Sequence, residues 1–218
     1  MAEKTYLFLS DCHLSEKHPE RTKMLCHKLL EHGIKKDIYI LGDLFDAWIG
    51  DDTPNLWLNN LFSTCKLLSQ QQSNIFIMHG NHDFLIGSKI IEKMHAKFIQ
   101  DPFILNGNIL LTHGDDLCLN DKAYQRLKPI IQSKIIKKIF LKLPRSQRKS
   151  IAKKLQGNGA PKGLDQNKIE QLTINSKVKT LIHGHTHFPY INGTTIGLGS
   201  WEKGYSILQL KGHDFNWL

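Results

Sequence analysis

The sequence predicts an α/β fold: a largely parallel β-sheet packed on a second, partly antiparallel sheet, flanked by helices and carrying a basic helical insertion. Three observations predict it. Five short apolar runs each end in a polar cluster. Helix-period segments separate the first of these runs. Hairpin-turn dipeptides and strand alternation appear toward the end of the chain.

The first run, Tyr6–Leu9, leads into Ser10, Asp11, Cys12 and His13. Arg21 to His32 reads as a helix with Met24, Leu25, Leu29 and Cys26 toward one face. Ile38–Leu41 then meets Gly42 and Asp43. Thr53 to Gln71 is a second helix with Pro54 near its first turn. Ile75–Met78 runs into His79, Gly80, Asn81, His82 and Asp83, and Ser88 to His95 is a short third helix. Ile109–Thr112 ends at His113, Gly114 and Asp115. Thr180–Ile182 ends at His183, Gly184, His185, Thr186 and His187. Continuous apolar runs of this length suit strands buried on both faces. Asn106-Gly107 and Asn192-Gly193 mark hairpins, and Tyr205 to Leu210 alternates as a strand.

The length, 218 residues, fits one domain, here with residues 122–164 as an insertion within it. An apolar fraction of 40% excludes a disordered chain. No apolar run approaches the roughly 20 residues that span a bilayer, and Tyr6–Leu9 is too short for a signal peptide, so the expectation is a cytosolic protein. Four cysteines without a CxxC pair exclude zinc-ribbon and thioredoxin-type sites and suit reduced thiols.

The net charge of +9 is localised. Of 29 basic residues, 13 lie between Lys122 and Leu164, where there is no Asp or Glu; the remainder holds 16 basic and 20 acidic residues. Tyr124, Leu127, Ile131, Ile135, Ile139 and Leu143 recur at helical spacing. Pro144 ends that helix, and Ser146 caps a second one reaching Leu155. The stretch reads either as two amphipathic helices with solvated lysines or as a cationic cap over an anionic substrate or membrane. No helix-turn-helix, RNA-recognition or zinc-finger signature accompanies it, which argues against a nucleic-acid partner.

Ligands of open α/β sheets bind beyond the carboxyl ends of the strands, where all five polar clusters fall. Cysteine-based structural zinc sites are not available. Mixed carboxylate, imidazole and amide donors suit a catalytic Mn²⁺, Fe²⁺ or Zn²⁺. Seven such donors exceed the needs of one ion. They fit two ions sharing a carboxylate, about 3.5–4 Å apart, a common device for phosphoester hydrolysis.

The series Asp11-Cys12-His13, Gly42-Asp43, Gly80-Asn81-His82-Asp83, His113-Gly114-Asp115 and Gly184-His185-Thr186-His187 resembles that of the calcineurin-like metallophosphoesterases, over most of the chain. The stretch Leu41–Asp52, the run His113–Cys118 with Asp121 and Tyr124, and the basic helices resemble more narrowly the pyrophosphohydrolases of lipid A biosynthesis. The resemblance implies a calcineurin-like β-sandwich with the basic insertion as a lid. It implies that Asp11, His13 and His187 bind one metal, that Asn81, His113 and His185 bind a second, and that Asp43 bridges them. The ions so implied are two divalent cations, Mn²⁺. It implies attack of a metal-held hydroxide on the α-phosphorus of UDP-2,3-diacylglucosamine, giving UMP and the diacylated sugar 1-phosphate. His82 would then offset charge on the phosphoryl oxygens or protonate the leaving group. Asn81 and His185 would also meet substrate, as would Asp121. The expected location is the cytoplasmic face of the inner membrane, as a peripheral protein on an anionic surface.

Two departures stand out. The resembled pyrophosphohydrolases usually carry Arg after the Asn, where this chain has His82, as in the wider superfamily; a soluble phosphodiesterase or nucleotide pyrophosphatase is therefore the alternative. The loop after the basic helices is short, Gly157 to Gly163, leaving Lys162 as the main candidate for a phosphate or sugar contact and Asn158 behind it. Other residues carry plainer expectations. His183 and His79 are structural or support the ligands, and Cys12 packs. Asp83, Asp115 and Asp46 orient ligand side chains. Trp48 either lines the site or packs. Ile135, Ile136, Ile139, Phe140 and Leu143 are the candidate wall for acyl chains.

Overall fold

The computed structural model describes residues 4–119, 122–131, 133–155, 163–202, 204 and 206–218. Asp121, Lys162 and Asn158, three of the substrate-contact candidates, lie outside the described residues.

Strands and helices alternate through the first half: β1 (Thr5–Leu9), α1 (Pro19–His32), β2 (Asp37–Leu41), α2 (Asn59–Gln70), β3 (Asn74–Met78), α3 (Ser88–Lys93) and β4 (Ala96–Phe98). β5 (Phe103–Leu105) and β6 (Ile109–Thr112) form the hairpin expected at Asn106-Gly107. Three helices follow, α4 (Lys122–Ile131), α5 (Lys134–Lys142) and α6 (Arg145–Leu155), then α7 (Gln166–Ser176) and β7 (Thr180–His183). β8 (Tyr190–Asn192) and β9 (Thr195–Gly197) form the second expected hairpin, and β10 (Leu208–Lys211) and β11 (Asp214–Trp217) close the chain.

Two sheets result. The six-stranded one runs β11-β10-β1-β2-β3-β4, with β1 to β4 parallel, β10 antiparallel to β1 and β11 antiparallel to β10. The five-stranded one runs β5-β6-β7-β9-β8, with β6, β7 and β9 parallel and an antiparallel strand at each edge. Side-chain alternation sorts residues into layers. Tyr6 and Phe8 of β1, Tyr39 and Leu41 of β2, and Leu111 and Ile182 of the second sheet pack between the sheets. Leu7, Leu9, Ile38 and Ile40 face the other way, onto Leu25, Leu29, Leu61 and Leu68 of α1 and α2. Leu110 and Leu181 cover the far side of the second sheet beneath Ile169 of α7. Strands buried on both faces explain why these runs lack a polar alternation.

Several bounds differ from expectation. The second helix starts at Asn59 after a 3-10 turn at Leu56–Leu58, well past Thr53 and Pro54. The third stops at Lys93, because His95 takes a left-handed backbone, φ 48°. β10 begins at Leu208, not Tyr205, and Tyr205 lies outside the described residues. The two basic helices are three. Ser133 restarts the helix, its side chain accepting from Ile136 N. α6 begins at Arg145, with the Pro144 carbonyl taking the first helical bond from Arg148 N, so Ser146 lies inside the first turn and is not its cap. Among the described residues no helix is long and apolar enough to cross a membrane.

Candidate metal centre

The carboxyl ends of β1, β2 and β3 abut those of β6 and β7, so loops from both sheets meet. Asp11 N donates to Gly42 O (3.2 Å) and His13 N to Asp43 O (3.0 Å), joining the first two loops. Gly184 N donates to His113 O (2.9 Å), joining the last two. His185 N donates to Asp11 Oδ2 (2.8 Å), stitching one sheet to the other.

Five residues here hold left-handed backbones: Asp11 (φ 52°), His13 (45°), Asp43 (50°), His185 (66°) and His187 (62°). Each such conformation costs a non-glycine residue about 1–3 kcal/mol and persists only where surrounding contacts impose it. Here they turn the side chains off the strand direction into one volume. Gly42 makes the convergence sterically feasible. A Cβ on it would lie 2.5 Å from His113 Nδ1 and 2.8 Å from Gly80 Cα, and its φ is +85°.

Two clusters of donor atoms form. In the first, His13 Nε2 is 3.3 Å from His187 Nε2, and Asp11 Oδ1 lies 3.4 Å from His187 Nε2 and 3.9 Å from His13 Nε2. Asp11 Oδ1 is buried without a hydrogen bond. In the second, Asp43, His113 and His185 bring one ligand atom each within 4.8 Å of one another. His113 Nε2 is 3.5 Å from Asp43 Oδ2 and 3.0 Å from Asn81 Oδ1. His113 Nδ1 faces the Leu41 carbonyl at 2.9 Å. A carbonyl only accepts, so Nδ1 carries the proton and Nε2 presents a lone pair to two oxygens. Donors each about 2.1 Å from one ion, at tetrahedral or octahedral angles, stand roughly 3.0–3.4 Å apart. The His13–His187, Asp11–His187 and His113–Asn81 spacings match this and the Asp11–His13 spacing is wider, while the donor chemistry, carboxylate and amide oxygen with neutral imidazole, suits divalent cations.

The electrostatics agree. Burial pushes His13 down to about 3, His185 to about 3 and His113 to about 4, so all three imidazoles are neutral at physiological pH and free to ligate. Burial works against ionisation of Asp11 too, but the neighbouring His187, His113 and His13 outweigh it and hold its carboxyl below the usual carboxylate range. Asp43 is pushed up by burial and by the carboxylates of Asp83 and Asp11, a repulsion that a bound cation relieves.

His82 stands at the rim. Its backbone N donates to Asp43 Oδ1 (2.8 Å), its Nδ1 faces the Asp46 carbonyl at 2.7 Å, and its Nε2 lies 4.0 Å from Asp43 Oδ2. The Asp46 carbonyl fixes the proton on Nδ1 and turns Nε2 toward the clusters. His13, Asp46 and His82 form a third group of mutually close donors, which sequence reasoning missed because Asp46 sits in a different loop from both imidazoles.

For Asp83 and Asp115 the supporting roles differ from expectation in kind. Asp83 contacts no ligand side chain. It binds backbone, accepting Leu44 N (2.8 Å) and Phe45 N (3.4 Å) at Oδ2 and Gly80 N (2.8 Å) at Oδ1. Burial pushes it up to about 6, against those hydrogen bonds. Asp115 pairs with Lys128 (2.8 Å). Trp48 packs: its ring lies tilted against Phe45, centroids 4.5 Å apart, and its indole N–H donates to Asp51 Oδ1 (3.0 Å). His183 Nε2 meets Tyr190 Oη (2.6 Å), and His79 Nε2 meets the Ile86 carbonyl (2.9 Å). Cys12 is fully buried, and its thiol is pushed up by burial and by the carboxylates around it, an inert packing group. Of the apolar wall, Phe140 turns to the core while Ile135 and Ile139 stay exposed.

A profile of calcineurin-like phosphoesterases matches residues 4–189. Curated relatives span nearly the whole chain. The UDP-2,3-diacylglucosamine hydrolase of Pseudomonas fluorescens (strain SBW25) is 36% identical, covering 96% of this chain and 92% of that one. Its namesake from Neisseria meningitidis (serogroup A) is 37% identical over 96% and 95%, and that of Coxiella burnetii (strain RSA 493) 34% identical over 93% and 92%. Among solved structures, GAP50, the anchor in the inner membrane complex of Plasmodium, shares the fold at 13% identity, with a TM-score of 0.50 over 100% of this chain and 84% of that one.

Proposed function

Because the chain belongs to the calcineurin-like phosphoesterases, we propose that it is a UDP-2,3-diacylglucosamine hydrolase, cleaving the pyrophosphate bond to give UMP and the diacylated glucosamine 1-phosphate. The observation that carries the reading is the convergence of two donor clusters on strand ends of both sheets. Asp11, His13 and His187 would hold one divalent ion, Asn81, His113 and His185 a second, with Asp43 between them; Mn²⁺ suits this donor set. When bound, such ions supply an activated water and polarise phosphoryl oxygens.

The chain's own residues do the rest. Asp43 holds its carboxylate against His113 and accepts His82 N, so the two metal-ligand loops keep one geometry. Asn81 adds an amide oxygen, a neutral donor that brings no further negative charge near a diphosphate. With its Nδ1–H held by the Asp46 carbonyl, His82 presents Nε2 at the rim, where in its doubly protonated form it would donate to a phosphoryl oxygen or pass the Nε2 proton to the departing group. Residues 122–164 act as an insertion that covers the lipid part of the substrate. Ile135 and Ile139 on α5 are exposed beside Lys138 and Lys142, a composition suited to a peripheral seat on an anionic inner-membrane leaflet, on its cytoplasmic face. Asp121 and Lys162 are candidate substrate contacts.

Incubation of the purified protein with UDP-2,3-diacylglucosamine, with Mn²⁺ and after chelation, tests the reading. UMP and acylated sugar phosphate only in the metal-loaded sample support it. Turnover confined to a soluble phosphodiester would instead assign a soluble phosphodiesterase.

A further inference from the structure

The basic helices are tied to the metal-ligand loops by cations that point inward. Lys128 Nζ reaches Asp115 Oδ1 (2.8 Å) and Asp116 Oδ2 (2.6 Å), just past His113. Lys137 Nζ donates to Phe84 O (2.8 Å), just past His82. The third tether is the most developed. Arg148 of α6 is 2% exposed, a charged side chain buried in a segment where Arg126, Lys138, Lys142, Lys149 and Lys154 are exposed. Its Nη1 donates to Ile49 O (2.6 Å) and Asp52 Oδ1 (2.8 Å), and its Nη2 to Asp52 Oδ2, the bidentate fork that only Arg provides. Arg145 adds its Nε to the same carboxylate at 3.3 Å.

The receiving loop is shaped for this contact. A Cβ on Gly50 would lie 2.5 Å from Arg148 Nη1 and 2.8 Å from Asp52 Oδ1 and Leu141 Cδ2, so a side chain there would displace the guanidinium and the carboxylate it pairs with. Gly50 also takes φ +130°, which favours glycine. The loop connects directly to the metal centre: Trp48 N donates to His82 O (3.1 Å), and the chain leads back to Asp43.

We propose that Arg148 is a positioning residue: paired with Asp52 across Gly50, it latches the basic helices onto the loop that follows Asp43 and so holds the wall against which the acyl part of the substrate packs. The proposal rests on the function inferred above. Arg148 Nη1 and Nη2 donate to Ile49 O and the Asp52 carboxylate, neither of them a proposed metal ligand. It acts by fixing where α5 and α6 stand relative to the donor clusters, and the Ile49–Asp52 segment is the socket for it. The segment's cations therefore divide by task, with Lys128, Lys137, Arg145 and Arg148 holding the helices down and the exposed ones left for an anionic surface.

The test compares Arg148→Met, Asp52→Asn, the double variant and Arg148→Lys in the manganese-loaded protein. The latch predicts a KM for micellar UDP-2,3-diacylglucosamine raised on the order of tenfold in each single variant, with kcat within about twofold. The double variant should be no worse than either single one, and Arg148→Lys should recover part of the loss. Amide exchange over 134–155 should quicken on the order of tenfold in Arg148→Met and Asp52→Asn while the strands keep their protection. An unmoved KM, a fall in kcat alone, or single effects that multiply would overturn the proposal. If the wild-type protein turned over no UDP-2,3-diacylglucosamine, the underlying function would fail instead. Amide exchange would then decide the latch, with unchanged rates in Arg148→Met refuting it. Asp52→Asn, at a half-exposed position, keeps the test alive should Arg148→Met misfold.

Discussion

Asp83→Asn isolates the part of the site that the structure revises most. Asp83 is fully buried and holds together the backbones of the Asp43 and Asn81 loops through Leu44 N, Phe45 N and Gly80 N. An amide of the same shape keeps one acceptor oxygen and turns an NH₂ toward the remaining donors. With the amide oxygen kept at Leu44 N (2.8 Å) and Phe45 N (3.4 Å), the NH₂ faces Gly80 N, so the loss is one 2.8 Å hydrogen bond and the orphaning of that N–H. Bonds to a carboxylate contribute about 1.5–3 kcal/mol each, and an orphaned buried N–H costs about 1–3 kcal/mol. Relief of a carboxylate that burial pushes up to about 6 gives part of this back. The expected net loss is about 3 kcal/mol, read as a lowered urea midpoint at unchanged slope. Because the two loops carry Asp43 and Asn81, Mn²⁺ affinity by calorimetry should also fall about 10–100-fold. A variant within about 0.5 kcal/mol of wild type, with unaltered Mn²⁺ affinity, would show that Asp83 does not hold the two loops together.

Asp43→Ala should reduce hydrolysis by about a thousandfold or more while circular dichroism and the thermal midpoint show a folded chain; near-normal turnover would sink the paired-ion account. His82→Gln should lower kcat about a hundredfold and leave metal content, measured by atomic absorption, unchanged, since Nε2 stands at the rim. Asp52 is held down to about 2 by the Arg148 hydrogen bond, with Arg145 adding to it. Its folded value lies below its ordinary value of 3.8, so the pair stabilises the fold above that pH and the contribution vanishes as pH falls through about 2. Denaturation midpoints of wild type and Asp52→Asn should accordingly differ at pH 6 and converge near pH 2.

The five strands that end in polar clusters were legible because burial on both faces leaves an uninterrupted apolar run, and the clusters follow from the sheet's polarity. β4 was not, and β5, β8 and β9 were marked only by their turn dipeptides, since three residues carry no period. α7 was missed because Gln166–Ser176 mixes Ile and Leu among polar residues and covers only one side of the second sheet. The ligand types were readable from Asp11 to His187, whereas the left-handed backbones that aim five of them are imposed by tertiary contacts and leave no local mark. Asp83 stands beside the ligands in the chain, yet its partners Leu44 and Phe45 come from another loop. Arg148 is the clearest case. In sequence it is one cation in a basic run; only its burial against Ile49 and Asp52 separates it from its solvated neighbours.

The most direct measurement is hydrolysis of UDP-2,3-diacylglucosamine in ¹⁸O-water by the manganese-loaded protein, with mass analysis of both products. UMP bearing the label on its phosphate and an unlabelled diacylglucosamine 1-phosphate are expected if, as proposed, water attacks the α-phosphorus. Label in the sugar phosphate, or no cleavage with metal present, would contradict it.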